Sequence, residues 1–117
     1  MKTLEFKNYF RDPLRSMEKR ATIRKSDKGL KEGDLVKCTF EWTDEDYLIR
    51  RVRSVEKVKF KDLDNAHAWF EGYKHVDLLK HELQYIYIRI WGIILFCFRL
   101  NLNILQNLKR GYRNVFL

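Results

Sequence analysis

Only two cysteines, Cys38 and Cys97, occur among the 117 residues. Each lies within an apolar run, which excludes a disulfide framework and a cysteine-rich zinc site and makes a reducing, cytoplasmic setting the expectation. Long hydrophobic runs are also missing. The most apolar stretch, Ile90 to Phe98, is bounded by Arg89 and Arg99, whereas a membrane-spanning helix takes about 20 apolar residues. It reads as a buried strand, and no membrane partner is expected. The opening MKTLEFKNYF alternates charged and apolar residues without the continuous apolar core of a signal peptide, so secretion is not expected. There is no glycine-rich phosphate loop and no serine-triad motif, and His67, His75 and His81 do not fall at a zinc spacing. A metal enzyme is thereby disfavoured and no cofactor is expected. No internal repeat or low-complexity linker divides the chain, and its length supplies one hydrophobic core.

What the sequence does have is apolar and basic. Hydrophobic residues make up 45% and aromatic residues 15%, enough for burial to offset the entropy of ordering the chain. The net charge is +8, and the first 31 residues hold ten basic side chains against four acidic ones. A surface of that sign attracts polyanions, so nucleic acid is the first partner class to consider.

Periodicity places the elements. Leu4 and Phe6 alternate with polar neighbours as a short opening strand, followed by a short helix that must begin near Asn8 or Asp12, because Pro13 is tolerated only in a first turn. Thr22 and Ile23 mark a second strand, ended by the polar loop SDKGLKEGD. Val36, Cys38, Phe40 and Trp42 alternate with Lys37, Thr39 and Glu41, which predicts a third strand. An acidic turn, Thr43 to Asp46, then leads into a strand from Tyr47 to Phe60. A bulge is expected near Arg50, Arg51 and Arg53, since two adjacent arginines cannot both face solvent on a regular strand. From Asp62 the period becomes helical: Leu63, Ala66, His67 and Phe70 share a face and Gly72 supplies a stop. Val76, Leu79, Leu83 and Ile86 mark a second amphipathic helix before the closing strand at Ile90 to Phe98. The pattern is α+β, a small mixed barrel with a helical insertion before its last strand.

The chemistry concentrates in Lys19-Arg20-Ala21-Thr22-Ile23-Arg24. On an extended segment Thr22 and Arg24 point to one face and Ile23 to the other, so a hydroxyl and a guanidinium are aimed together over a residue of the core. Arginine offers a planar fork for a phosphate or a base edge, and threonine becomes a nucleophile once a base takes its proton. Lys19, three positions before Thr22, reaches the same face only if the chain bends near Arg20 or Ala21. His67, on an apolar face, reads as a packed residue, and Glu71 by pattern alone reads as an exposed helix-end residue. Arg24, Arg50, Arg51 and Arg53 are candidates to flank a cleft for RNA or a nucleoside, with Trp69, Phe70 or Tyr73 as a stacking surface.

The segments LEFKNYF, KRATIR and KEGDLV, followed by a strand pair and the helix DLDNAHAWFEGY, resemble the ASCH family in order and spacing from Leu4 to about Tyr87. The resemblance implies a PUA-like β-barrel whose cleft takes RNA or a modified nucleoside. It assigns residues 1–100 to the domain and leaves 101–117 as a divergent tail. Some bacterial members are amidohydrolases that remove the acetyl group of N(4)-acetylcytidine with a lysine, a threonine and a glutamate, which fall here on Lys19, Thr22 and Glu71. In that reading Lys19, near Arg20 or Arg24, activates Thr22 for attack and Glu71 protonates the leaving amine. Arg20, Arg24, Arg50, Arg51, Arg53 and Trp69 are the ligand-binding candidates.

Two departures from the family pattern carry structural consequences. Met17 stands where the turn before the lysine holds glycine, which predicts a left-handed backbone at a residue with a side chain. After Tyr87 the usual proline and polar linker are absent, which predicts a displaced closing strand. In the tail, Ile104, Leu105, Leu108 and Tyr112 fall on one face of a helix with Lys109, Arg110 and Arg113 outward; the other reading is a poorly packing segment that makes the preceding apolar run an aggregation hazard.

Overall fold

The computed structural model describes residues 1–87 and 94–102, apart from the side chains of Asp44 and Leu102. The described residues form five strands: β1 (Lys2–Phe6), β2 (Ala21–Arg24), β3 (Leu35–Phe40), β4 (Thr43–Lys59) and β5 (Ile94–Leu102). Three α-helices accompany them: α1 (Arg11–Arg15), α2 (Asn65–Glu71) and α3 (Val76–Ile86), with 3₁₀ turns at Asn8–Phe10 and Phe60–Asp62. The sheet order is β1-β3-β4-β5-β2, with β1 parallel to β3 and every other pair antiparallel. The α+β expectation holds, and α2 and α3 form the helical insertion before the last strand. Among the described residues the expected barrel is a curled sheet open along one seam, with β1 and β2 as its two edges.

Period-two alternation divides the apolar residues between two layers. Phe98 and Leu100 of β5 pack inside the curl with Leu4, Phe6, Val36, Cys38 and Val52, while Leu95 and Cys97 pack on the outer face against Ala68, Leu79 and Leu83 of the helices. Ile23 joins the helical layer, which leaves its neighbours Thr22 and Arg24 facing the opposite side of β2.

Several boundaries differ from the sequence reading. Trp42 continues the alternation of β3 but lies in a tight turn, 90% exposed, with φ of 66°. The connection is therefore Glu41-Trp42, and the expected acidic turn at Thr43 to Asp46 belongs to β4. Arg53 is the bulge residue: the β4–β5 register shifts between Val52 and Ser54. β5 is described from Ile94 to Leu102 and extends past the expected end at Phe98, so Asn101 and Leu102 belong to the sheet. Ile90 and Trp91, and the expected helical face of Ile104, Leu105, Leu108 and Tyr112, lie outside the described residues. Among the described residues no helix is long and apolar enough to cross a membrane.

Met17, next after the Ser16 cap of α1, has φ of 67°, as its place at a glycine position of the turn predicts. A side chain in that conformation costs on the order of 1 kcal/mol relative to glycine. Met17→Gly is therefore expected to raise the unfolding free energy by about 1 kcal/mol, read as a higher urea midpoint at unchanged slope.

Candidate functional site

The turn from α1 into β2 and the end of α2 are held against each other by backbone contacts. The Lys19 N–H donates to the Pro13 carbonyl at 2.9 Å, and the Arg20 N–H donates to the Phe70 carbonyl at 2.6 Å. Gly72, with φ of 93°, terminates α2, and a Cβ there would sit 3.3 Å from the Glu18 carbonyl oxygen. Only a glycine fits both the left-handed turn and this close approach. At the other end of α2, Asp64 accepts from the His67 N–H while His67 Nδ1 accepts from the Asp64 N–H, each at 3.1 Å, a reciprocal cap. His67 Nε2 lies 3.0 Å from Glu56. Its role is to start the helix that carries Glu71.

This docking places Lys19 against Glu71. The lysine Nζ contacts Glu71 Oε2, and both side chains are nearly sealed from solvent, 3% and 4% exposed. Phe10 lies beneath the ammonium, its ring centre 4.4 Å from Nζ. The bend that joint action requires is present, since β2 begins only at Ala21.

On the interior side of β2, Arg24 Nε donates to Thr22 Oγ1 at 3.0 Å, and Arg24 Nη2 donates to the Glu5 carbonyl on β1 at 2.8 Å. Arg24 thus bridges the open seam of the sheet. Burial pushes its guanidinium below the ordinary arginine range, and the nearby Tyr87 and Glu71 pull it back up. A cavity of about 120 Å³ occupies the seam, lined by Lys19, Thr22, Arg24 and Glu71 and closed on the helical side by Leu79 and Leu83.

The three residues Lys19, Thr22 and Glu71 therefore share one cavity with Arg24. The pattern reading of Glu71 as an exposed helix end is corrected: α2 buries Ala68 and Glu71, because the turn before β2 covers that face. Of the stacking candidates Tyr73 also lines this cavity, whereas Trp69, Phe70 and the ligand candidates Arg20, Arg50, Arg51 and Arg53 are not brought to it. Arg50 is fully buried on the interior side of β4 and donates to the Ile49 carbonyl at 3.0 Å. Arg51 donates to the Gly33 carbonyl at 2.8 Å, and Arg53 is exposed at the bulge. Arg20 lies over the ring of Trp69 at 3.8 Å, on the solvent side of α2 where Trp69 is 57% exposed. Arg99 covers Phe70 in the same way at 3.9 Å.

Phe10 and Tyr87 line the cavity and were missed in the sequence. Phe10 ends a three-residue 3₁₀ turn, too short to show a period. Tyr87 had a signal, since it extends the apolar stripe of α3 four positions beyond Leu83. Its hydroxyl reaches the Ile23 carbonyl at 3.4 Å, and burial pushes its phenol up. Burial also pushes the thiols of Cys38 and Cys97 up to about 12, which removes them as nucleophiles near neutral pH. Among the described residues no three potential metal ligands gather.

No family model matches the sequence, and no curated protein sequence matches it. Solved structures do. The chain is similar to an ASCH domain from Lactobacillus crispatus JV V101, with a TM-score of 0.64 and 20% identity over 77% of this chain and 67% of that one. It is also similar to a DUF984 protein from Enterococcus faecalis V583, with a TM-score of 0.58 and 18% identity over 80% of this chain and 69% of that one. At such identities the likeness concerns the path of the backbone, and by that path the chain has an ASCH-like fold.

Proposed function

We propose that the seam cavity binds a small N-acylated nucleoside and hydrolyses its amide, with N(4)-acetylcytidine as the type of substrate. The observation that carries this reading is the Lys19–Glu71 contact, buried at the wall of a cavity that Thr22 also lines. Amide hydrolysis through a hydroxyl needs a base for the nucleophile and an acid for the leaving amine. A lysine and a glutamate in contact supply both by moving one proton: the ammonium and carboxylate become an amine and a carboxylic acid. Thr22 then gives its proton to Lys19 as Oγ1 attacks the acetyl carbon, and Glu71 protonates the departing N4 amine. The products of this half are cytidine and an acetyl ester on Thr22. Water cleaves the ester to acetate, returning the hydroxyl and the ion pair.

Size and charge favour a nucleoside over a nucleic-acid strand. About 120 Å³ gives room for roughly ten water-sized groups at ~10–15 Å³ each, close to one acylated pyrimidine ring. Although the whole chain is strongly basic, the cavity is lined by the carboxylates Glu5, Glu41, Glu71 and Glu82 against only Lys7, Lys19 and Arg24. A polyanion gains nothing there. RNA binding has a different basis, the guanidinium–aromatic stacks of Arg20 on Trp69 and Arg99 on Phe70 outside the cavity.

Incubation with N(4)-acetylcytidine, followed by chromatography, is expected to release cytidine and acetate in equal amounts. The same base within an RNA oligonucleotide is expected to react more slowly. Absence of cytidine release from the free nucleoside would remove the hydrolytic reading.

A further inference from the structure

The seam cavity grades from closed to open. Lys19, Thr22 and Glu71 at one end are buried, whereas Glu5 and Lys7 are exposed and Glu41 and Glu82 are half-buried. Since the space takes about one acylated pyrimidine ring, with its amide at the buried end, the sugar attached to that ring stands at the open end. One residue there is at odds with its own element. Leu79, Glu82, Leu83 and Ile86 fall at i, i+3, i+4 and i+7 on the face of α3 that lines the cavity, so Glu82 is a carboxylate set in an otherwise apolar stripe. Its Oε1 accepts from the Tyr9 hydroxyl at 2.5 Å. The Tyr9 ring packs on Phe10 with ring centres 4.5 Å apart, and partial burial together with the Glu82 carboxylate pushes the phenol up, so it stays a donor. Among the described residues Oε2 of Glu82 has no partner.

The other carboxylates of the open end are placed differently. Glu41 has both oxygens engaged, Oε1 by the Asn8 N–H at 3.1 Å and Oε2 by Lys7 Nζ at 3.4 Å. Glu5 has the outward parity of β1, opposite to the buried Leu4 and Phe6. Glu82 is left as the acceptor that a bound molecule can use. We propose that Glu82 determines specificity for the sugar: Oε2 accepts hydrogen bonds from the ribose hydroxyls of the bound nucleoside, while Tyr9, through Oε1, fixes the orientation of the carboxylate. This rests on the hydrolytic reading and adds to it the half of the substrate that does not react. An ionised carboxylate only accepts hydrogen bonds, and hydroxyls that donate to a charged acceptor form stronger bonds than neutral pairs. A sugar is matched there and an anion is not. A 5′-phosphate would meet Glu41 and Glu82, and the cation lining that end, Lys7, is already on Glu41. Tyr9 is a positioning residue, acting on the sugar through Glu82.

The test is steady-state hydrolysis of N(4)-acetylcytosine, N(4)-acetylcytidine and N(4)-acetylcytidine 5′-monophosphate by the full chain and by Glu82→Ala, Glu82→Gln and Tyr9→Phe. For the parent, KM for the nucleoside is expected about tenfold below that for the free base, the scale of a charge-assisted hydrogen bond, and about tenfold below that for the monophosphate. Glu82→Ala is expected to raise KM for the nucleoside about tenfold with kcat within about threefold, and to move KM for the free base by less than about threefold. Glu82→Gln keeps the shape and removes the charge, and is expected to lower KM for the monophosphate by at least about threefold while raising that for the nucleoside about threefold. It carries the comparison should Glu82→Ala fold poorly. Tyr9→Phe removes only the brace and is expected to raise KM for the nucleoside about threefold without raising that for the free base. Equal KM for free base and nucleoside in the parent, a monophosphate handled as well as the nucleoside, or losses in the variants that fall equally on free base and nucleoside would overturn the proposal and leave the hydrolytic reading intact. Parent protein that hydrolyses none of the three removes both.

Discussion

Thr22→Ala is expected to reduce hydrolysis of N(4)-acetylcytidine by about 10³-fold or more, the scale of loss when a nucleophile that works with a dedicated base is removed. Among the described residues no other aliphatic hydroxyl or thiol is placed to substitute. The two thiols are buried with their pKa values raised to about 12, and burial likewise raises the phenols of Tyr73 and Tyr87. Stability is expected to fall by only about 1–2 kcal/mol, through the loss of the acceptor for Arg24 Nε. A large loss of turnover with a small loss of stability marks a chemical role. Thr22→Ser keeps the hydroxyl but not the methyl group that restricts χ1, and is expected to retain activity within about tenfold of the parent, since one loosened rotamer costs little beside a missing nucleophile. A Thr22→Ala protein with normal kcat would place the attacking group elsewhere.

The second large effect is on folding. Lys19→Met leaves the Glu71 carboxylate buried without its cation, and Glu71→Gln leaves the Lys19 ammonium without its anion; each is expected to cost about 3–5 kcal/mol. The loss in Glu71→Gln is expected at the lower end, because the Phe10 ring beneath Nζ remains as a weak partner for the charge. The double variant Lys19→Met with Glu71→Leu buries no charge and is expected to recover most of the loss while remaining inactive. Urea unfolding of the two single variants and the double variant checks this. Single variants within about 1 kcal/mol of the parent would mean that water reaches the ion pair, contrary to the near-complete burial of both side chains. A fold whose total stability is of the order of 5–15 kcal/mol does not keep such an arrangement for stability, since apolar groups of the same shape serve as well. The proposed hydrolysis gives the pair a use that stability does not.

How much of this was legible in the sequence depended on whether a side chain's surroundings lie on its own element. β2 and β3 could be read from alternation, and α3 from its apolar stripe, because each presents one regular face to one layer. The convergence of Thr22 and Arg24 followed from strand geometry alone. The burial of Glu71 did not. α2 has seven residues, and the turn that covers Glu71 belongs to Glu18 to Arg20, whose approach depends on Gly72 and on the Arg20 to Phe70 hydrogen bond. No pattern within α2 carries that information; the family resemblance singled out Glu71 but not its burial. Trp42 misled because a residue just past a strand can continue its alternation by chance. The outward arginines 51 and 53 misled because charge indicates exposure, and exposure on β4 faces away from the seam. Arg50 shares the inward parity of Leu48 and Val52, so its burial was readable once one of two adjacent arginines had to turn inward.

The most direct measurement is mass spectrometry of the Thr22 peptide from protein quenched during turnover of N(4)-acetylcytidine. The account predicts an acetyl group on Thr22 that appears with substrate, disappears when substrate is exhausted and accumulates when hydrolysis of the ester is slowed. Steady release of cytidine with Thr22 never acetylated, or with the acetyl group found on another residue, would contradict it.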